Sequence, residues 1–166
     1  KSRFITYVNR VESEEEATNF VQEIARRNWD ATHNCYAWIV GRNSEIQRSS
    51  DDGEPAGTAG RPILEVIRAR KLVDTAVVVT RYFGGIKLGT GGLIRAYSHS
   101  ASAGLDAAGT VIRQLHRAMK LTLDYSQMGK VEHALRTAGY DTDPAQFTDK
   151  VKWTVWVPVG EEKAFM

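Results

Sequence analysis

The stretch of sequence that decides the fold is Asp74–Tyr97, DTAVVVTRYFGGIKLGTGGLIRAY. Its first part, Asp74–Arg81, is a near-continuous apolar run, which is typical of a strand buried on both faces. Five glycines follow within Gly84–Gly92, and apolar residues then recur at helical spacing until Gly109. The stretch therefore predicts a strand in the middle of a sheet, a glycine-rich loop and a long helix.

The residues upstream of this stretch predict the other elements of an N-terminal domain. Ser13 and Glu16 form the pattern of a capping box, which marks the start of a helix whose apolar residues share one face. The remaining predicted elements are a strand at Arg3–Val11, a strand at Cys35–Val40, a loop at Gly41–Gly60 and a helix from Arg61-Pro62 to about Arg70.

From Ala118 onward the pattern changes to that of a smaller second domain. The predicted elements are a strand at Met119–Tyr125, a helix from Met128 to Gly139, strands at about Tyr140–Phe147 and Val151–Val159, and a helix opened by Gly160. This order is most of a split βαβ, ferredoxin-like unit without its last strand. We therefore predict an α+β protein built of two-layer α/β sandwiches, with domains at residues 1–116 and 117–166.

Composition excludes several classes of protein. The chain has 166 residues, 42% of them hydrophobic and 25% charged, which excludes disorder, collagen and coiled coil. The longest uncharged runs are too short to cross a membrane. A single cysteine, Cys35, allows no internal disulfide and fits a reducing cytoplasm. Because the chain starts at Lys1 rather than at methionine, we expect the natural N-terminus to be longer.

Positive charge is concentrated beside the glycines. The net charge is only +2, but Arg61–Arg95 carries a local excess of five positive charges. The sequence Gly-Thr-Gly-Gly leads directly into a helix, which leaves free backbone N–H groups at the positive end of the helix dipole. Turn geometry alone also explains such glycines. The candidate phosphate-binding residues are Arg81, Lys87, Gly89, Thr90, Gly91, Gly92 and Arg95.

The acidic loop allows two interpretations. Asp51, Asp52 and Glu54 carry the oxygen ligands that magnesium prefers. Acidic residues beside glycines more often cap helices, close turns or pair with arginines, and Arg61 and the 81–95 cluster offer such partners. The second interpretation is the stronger one, so we predict no metal site and keep magnesium as an alternative.

Cys35 also allows two interpretations. Cys35 and His33 are two apart on a predicted strand, so they share a face and a Cys–His nucleophile pair is conceivable. A cysteine on a strand is more often a small buried hydrophobe. In that case His33-Asn34 holds the adjacent glycine loop by hydrogen bonds.

Four segments together resemble the IMPACT family, in its bacterial YigZ/YvyE branch. They are Lys1–Ile5 (KSRFI), Asp30–Cys35 (DATHNC), Ser50–Glu65 (SDDGEPAGTAGRPILE) and Val77–Tyr97 (VVVTRYFGGIKLGTGGLIRAY). The resemblance implies an N-terminal domain like the second domain of a small-subunit ribosomal protein, a fold shared with elongation factor G and GHMP kinases. It also implies a ferredoxin-like C-terminal domain that runs some tens of residues beyond Met166, which would leave Met119–Tyr125 here without a neighbour, as an exposed edge.

The resemblance implies no reaction. For the bacterial members, the resemblance implies an orphan protein that is thought to touch RNA or the translation machinery. The stress-kinase mechanism of the eukaryotic members depends on a domain and surfaces that are not found here. No catalytic role comes with the signature. Besides Arg81 and the glycines already named, its residues are His33, Asn34, Asp51, Asp52, Gly53, Glu54, Pro55, Gly57, Thr58, Gly84, Gly85 and Tyr97.

Our leading hypothesis is a non-enzymatic, cytoplasmic binding protein without a cofactor, which holds RNA or part of the translation machinery on the basic glycine-rich surface. We expect Arg81, Lys87 and Arg95 on one surface beside the loop Ser49–Gly60. The alternative is a nucleotide- or phosphoester-directed enzyme that uses the same helix start with magnesium. A regulatory protein that binds an acidic protein partner is a third possibility.

Overall fold

The computed structural model describes Lys1–Phe165. These residues fold as two compact units, and the first unit ends at Thr110. The α+β class is confirmed, since both units combine helices with a sheet. The second unit begins at Val111, earlier than the predicted start at residue 117, because the segment before its first strand already belongs to it. There the Val159 N–H donates to the Leu115 carbonyl at 2.9 Å. No helix in the described part of the chain is long and apolar enough to cross a membrane.

The first unit contains four strands and three helices. They are β1 (Arg3–Arg10), α1 (Glu14–Arg27), β2 (His33–Val40), β3 (Ile46–Ser50), α2 (Gly60–Ala69), β4 (Thr75–Tyr82) and α3 (Gly89–Ala108). The strands form one antiparallel sheet in the order β1-β4-β2-β3, so β4 lies inside the sheet as its apolar run predicts. The start of α1 is also as predicted, because Ser13 Oγ accepts from the Glu16 N–H at 3.1 Å.

One strand was missed. We predicted an unbroken loop at Gly41–Gly60, but β3 lies within it and pairs with β2 from Val40↔Ile46 to Tyr36↔Ser50. The strand is at the edge of the sheet and is almost wholly exposed, so its residues need not alternate between apolar and polar. For this reason the hydrophobic pattern gave no signal.

Helices cover both faces of the sheet of the first unit. Val77 and Val79 of β4 pack with Ile63 of α2 and Leu105 of α3, which forms the main core. On the opposite face Trp38 packs with residues of α1 and β4. Burial from both sides fixes β4, and so fixes where the loop after it leaves the sheet.

The second unit has the order strand, helix, strands that we predicted for most of a split βαβ unit. Its elements are β5 (His116–Leu123), α4 (Tyr125–Ala138), β6 (Asp141–Thr142), β7 (Gln146–Phe147), β8 (Val151–Pro158) and α5 (Glu162–Phe165). The sheet order is β5-β8-β6, and β7 also pairs with β8. The first strand was expected without a neighbour, but β5 pairs with β8 along its whole length and is open on its other side only, among the described residues.

The strand predicted at about Tyr140–Phe147 is divided into β6 and β7. The break lies at Asp143-Pro144, where proline has no N–H to donate to the ladder. Asp143 instead binds two indoles: its carbonyl accepts from Trp153 Nε1 and its carboxylate from Trp156 Nε1, each at 2.8 Å. The Asp143 N–H also donates to the Thr154 carbonyl of β8 at 3.0 Å, so the break stays attached to β8.

Gly104 tests the packing of α3 on β1. A Cβ at this position would lie 2.3 Å from Thr6 Cγ2, and Thr6 is held because its Oγ1 donates to the Ser100 carbonyl at 2.8 Å. We expect Gly104→Ala to lower the free energy of unfolding by about 1–3 kcal/mol, although alanine is the better helix former. Gly129 in α4 has open space, so Gly129→Ala should stabilise the second unit by about 0.5–1 kcal/mol. Urea unfolding measures both, and stabilisation by Gly104→Ala would refute the close contact.

Candidate functional site

A buried carboxylate lies at the centre of the polar residues of the first unit. Glu54 Oε1 accepts from Arg81 Nη1 at 2.5 Å and from Tyr97 OH at 2.6 Å. The other oxygen, Oε2, lies 3.7 Å from His33 Nε2. The side chains of Glu54 and Arg81 are only 3% and 5% exposed, so this ion pair is shielded from water. We call Glu54, Arg81, Tyr97 and His33 the buried polar cluster.

Arg81 is therefore not part of the exposed phosphate surface that we predicted, and this expectation is corrected. Its guanidinium is neutralised by Glu54, and its Nε and Nη2 donate to Ser2 Oγ at 3.3 and 3.1 Å. The guanidinium also lies between the rings of Phe4 and Phe83, 5.7 and 5.5 Å from their centroids. Sequence alone gave no signal for this burial because Glu54, Ser2 and Phe4 lie far from Arg81 along the chain.

Asp51 caps the helix that follows its loop, as the second interpretation of the acidic residues predicts. Its Oδ2 accepts from the Gly57 N–H at 2.8 Å, and its Oδ1 accepts from the N–H groups of Ala59 and Gly60 at 3.0 and 2.8 Å. Burial alone would raise the pKa of Asp51, but the three N–H donors outweigh it and hold the pKa below its usual value. The carboxylate of Asp51 therefore holds the backbone of its own loop and the start of α2 in place.

Asp52 joins the same loop to β2. Its Oδ2 accepts from the Asn34 N–H at 2.6 Å, and its carbonyl is 2.7 Å from His33 Nδ1. Asn34 in turn accepts from Thr80 Oγ1 at 2.7 Å, which connects the loop to β4. His33-Asn34 therefore holds the acidic loop with its glycines, at residues 51–60, as one of the two interpretations predicts.

The three carboxylates of the magnesium alternative serve three different internal partners. Asp51 binds backbone N–H groups, Asp52 binds β2 and Glu54 binds Arg81 and Tyr97. Among the residues that the structure describes, no three His, Cys, Asp or Glu side chains are grouped to hold a metal. The geometry therefore favours the interpretation in which these residues cap, close turns and pair.

Cys35 is a buried thiol in the core beneath this loop. Its Sγ donates to the Asp51 carbonyl at 3.0 Å and lies 3.4 Å from Tyr97 OH. Burial raises the pKa of Cys35 to about 12, and burial likewise raises the pKa of the Tyr97 hydroxyl, with its hydrogen bonds to Cys35 and Glu54 adding to the rise. A thiol held in this state is a poor nucleophile, which favours the packing role over a Cys–His pair.

The other predicted residues come together on an exposed surface at the start of α3. We call Lys87, Gly89–Gly92 and Arg95 the glycine surface. The residue before the helix, Leu88, gives no side-chain cap, and a Cβ at Gly89 would meet nothing within 4 Å. The Arg95 guanidinium lies over the first turn, 3.5 Å from the Cβ position of Gly91. Within the described part of the chain, no carboxylate forms an ion pair with Lys87 or Arg95.

Phe83 is a site residue that sequence reasoning missed. In the chain it follows the buried Arg81 by two residues and precedes Lys87 by four, and it is 48% exposed. An aromatic residue directly before a pair of glycines was the available signal, since a core aromatic is not expected where the chain leaves the sheet.

Family models match both units. A model described as the Impact N-terminal domain matches residues 1–105, and one described as a domain of unknown function, DUF1949, matches residues 121–166. The fold and its polar residues thus define a protein of two α+β units, in the first of which a buried ion pair holds the acidic loop. The chain belongs to the IMPACT family.

The relatives include bacterial members of that family. The IMPACT family member YvyE of Bacillus subtilis is 50% identical over 165 residues, which are 99% of this chain and 76% of that relative. The member YigZ of Escherichia coli is 39% identical over 137 residues, 81% of this chain and 67% of YigZ. Protein IMPACT of Xenopus laevis is 48% identical over 62 residues, 36% of this chain and 19% of that protein.

A solved structure supports the fold of the chain. It is described as the crystal structure of an hypothetical protein, and its sequence is 34% identical to this chain. The two superpose with a TM-score of 0.67, over 99% of this chain and 81% of the other.

The capping role of Asp51 predicts loss of stability in acid. Its pKa is lower in the folded state than in the unfolded state, so the stabilisation is present above the ordinary carboxyl pKa and is lost as pH falls through the folded value. We expect Asp51→Asn to cost about 1 kcal/mol at pH 7, and the difference from the unaltered protein to shrink below about pH 5. Urea unfolding as a function of pH measures this. Asp149→Asn, in an exposed turn, is the control, and an Asp51→Asn penalty that does not depend on pH would contradict the assignment.

The burial of Cys35 predicts slow chemical labelling. With a pKa of about 12, only roughly one thiol in 10⁵ is ionised at pH 7, and that thiol is covered. A maleimide should therefore label Cys35 only as fast as the first unit opens, and labelling should become rapid in urea. Rapid labelling of the native protein would restore the nucleophile interpretation.

Proposed function

We propose that the protein is a non-enzymatic binding protein of the IMPACT family that holds RNA through the glycine surface. The observation that carries this proposal is an uncapped and sterically open helix start beside two exposed cations that lack a carboxylate partner among the described residues. Such a surface offers N–H groups, the positive end of a helix dipole and mobile positive charge to the same anion. Phosphate is the anion that fits all three.

The electrostatics of the site favour a chain of phosphates over a single one. Lys87 precedes the helix and Arg95 lies on its second turn, so the positive charge extends along the start of α3. Two carboxylates of the acidic loop already have partners within the protein. Glu54 pairs with the buried Arg81, and Asp51 caps α2. Their negative charge is therefore compensated within the protein and does not repel an anion at the glycine surface.

The polar residues behind this surface support binding rather than catalysis. A general base or nucleophile needs a free lone pair within reach of a substrate. Glu54 and Tyr97 are buried and hydrogen-bonded to each other, and the thiol of Cys35 is buried and protonated. The nucleotide- or phosphoester-directed enzyme stays an alternative, and it requires the loop carboxylates to leave their present partners.

We place this function in the cytoplasm and link it to translation. The single buried thiol suits a reducing compartment, and the membership of the IMPACT family suggests the translation machinery as the source of the RNA. An acidic protein partner would use the same cations but would not need the open glycine backbone.

Removal of the two cations tests the proposal. We expect the double variant Lys87→Ala, Arg95→Ala to bind a short single-stranded oligouridylate more weakly, with the slope of log affinity against log salt reduced by about 0.7 for each lost phosphate contact. Lys130→Ala, which removes an exposed cation from α4, is the matched control and should leave both quantities unchanged. Fluorescence anisotropy at several salt concentrations measures them.

Two outcomes would contradict the proposal. One is the absence of RNA or ribosome association by the unaltered protein at low salt. The other is a rise in its melting temperature with magnesium and a nucleotide that is abolished by Asp52→Asn, since this would favour the enzyme alternative.

A further inference from the structure

We infer that Phe83 is a stacking platform for an unpaired nucleobase, so that the RNA held at the glycine surface is single-stranded. This inference rests on the proposed function and adds the class of nucleic acid and the residue that selects it. Neither the sequence motifs nor the family signature assigned a role to this side chain.

The ring of Phe83 packs against the guanidinium of Arg81 and remains partly exposed. The guanidinium of Arg81 lies 5.5 Å from the ring centroid, and this guanidinium is itself buried and neutralised by Glu54. The residue is nevertheless 48% exposed. A large apolar ring at the surface is stable in the protein only at a cost in hydration, which a stacked ligand would remove.

The backbone around Phe83 is held in place before any ligand binds. The Phe83 N–H donates to Thr32 Oγ1 at 2.9 Å, and the Thr32 N–H donates to the Arg81 carbonyl at 2.9 Å. Gly84 packs so closely on the residues before β1 that a Cβ there would lie 1.9 Å from the Lys1 carbonyl oxygen. Because the platform is fixed from three sides, a stacked base loses entropy but the protein loses little.

The chemistry beside the ring matches a single strand. Every base has a π-face that an aromatic side chain can cover, and the exposed Lys87, which follows Phe83 by four residues in the chain, supplies a cation for a flanking phosphate. In a duplex both faces of each base are already stacked on neighbours, so a side chain cannot use them without unpairing the helix. An aromatic ring beside unpaired cations and open backbone therefore favours unpaired RNA over duplex.

The test is the affinity of Phe83 variants for a short single-stranded oligouridylate and for its duplex with oligoadenylate. We expect Phe83→Leu to weaken binding of the single strand by about 5- to 150-fold, because it keeps an apolar side chain but loses the ring. The salt slope should stay unchanged, since no phosphate contact is removed. Phe83→Trp should bind at least as tightly as the unaltered protein.

Two controls keep the interpretation clear. Phe147→Leu removes another exposed aromatic ring, in the second unit, and should leave the affinity unchanged. Independently of any variant, ultraviolet crosslinking of a 4-thiouridine-labelled oligouridylate to the unaltered protein should place an adduct in the peptide that contains Phe83. This second measurement decides the matter if Phe83→Leu fails to fold.

The outcomes separate this inference from the proposed function. If duplex and single strand bind equally, or if Phe83→Leu binds normally and no adduct forms at Phe83, stacking is overturned while phosphate binding through Lys87 and Arg95 stands. If the unaltered protein binds no RNA at low salt, both fall.

Discussion

The buried ion pair between Glu54 and Arg81 is the interaction on which the rest of the first unit depends. It joins the acidic loop to the end of β4, and Tyr97 of α3 binds the same carboxylate oxygen. Removing one partner of such a pair leaves a buried charge without compensation, which costs about 3–5 kcal/mol. Loss of either partner is therefore expected to loosen the loop, the strand and the helix together.

This constraint connects the buried polar cluster to an exposed part of the chain. The guanidinium that Glu54 holds is the same group that supports the ring of Phe83, and the strand that carries it delivers the chain to Lys87 and the start of α3. The buried polar cluster thus supports the segment of the chain that leads to the proposed binding surface. Residues that look like catalytic candidates in sequence, such as Cys35, belong to that support.

The fold could be predicted largely from local pattern, whereas the site could be predicted only in part. Three short-range signals led to predictions that the structure confirms. They are the apolar run of β4, the capping box of Ser13 and the end of α3 at Gly109. The glycine surface also follows from one continuous stretch. The burial of Arg81 does not, because its hydrogen-bond partners come from the residues before β1 and from the acidic loop, and a single sequence contains no record of contacts over that distance.

Hydrogen exchange of the backbone amides in Glu54→Gln tests most directly whether the ion pair organises this surface. The account predicts faster exchange in two segments distant in sequence, the loop around Gly57–Gly60 and the amide of Phe83, while the central amides of β4 and those of α4 keep their protection. Unchanged exchange in both segments, or faster exchange in the loop alone with Phe83 unaffected, would contradict it.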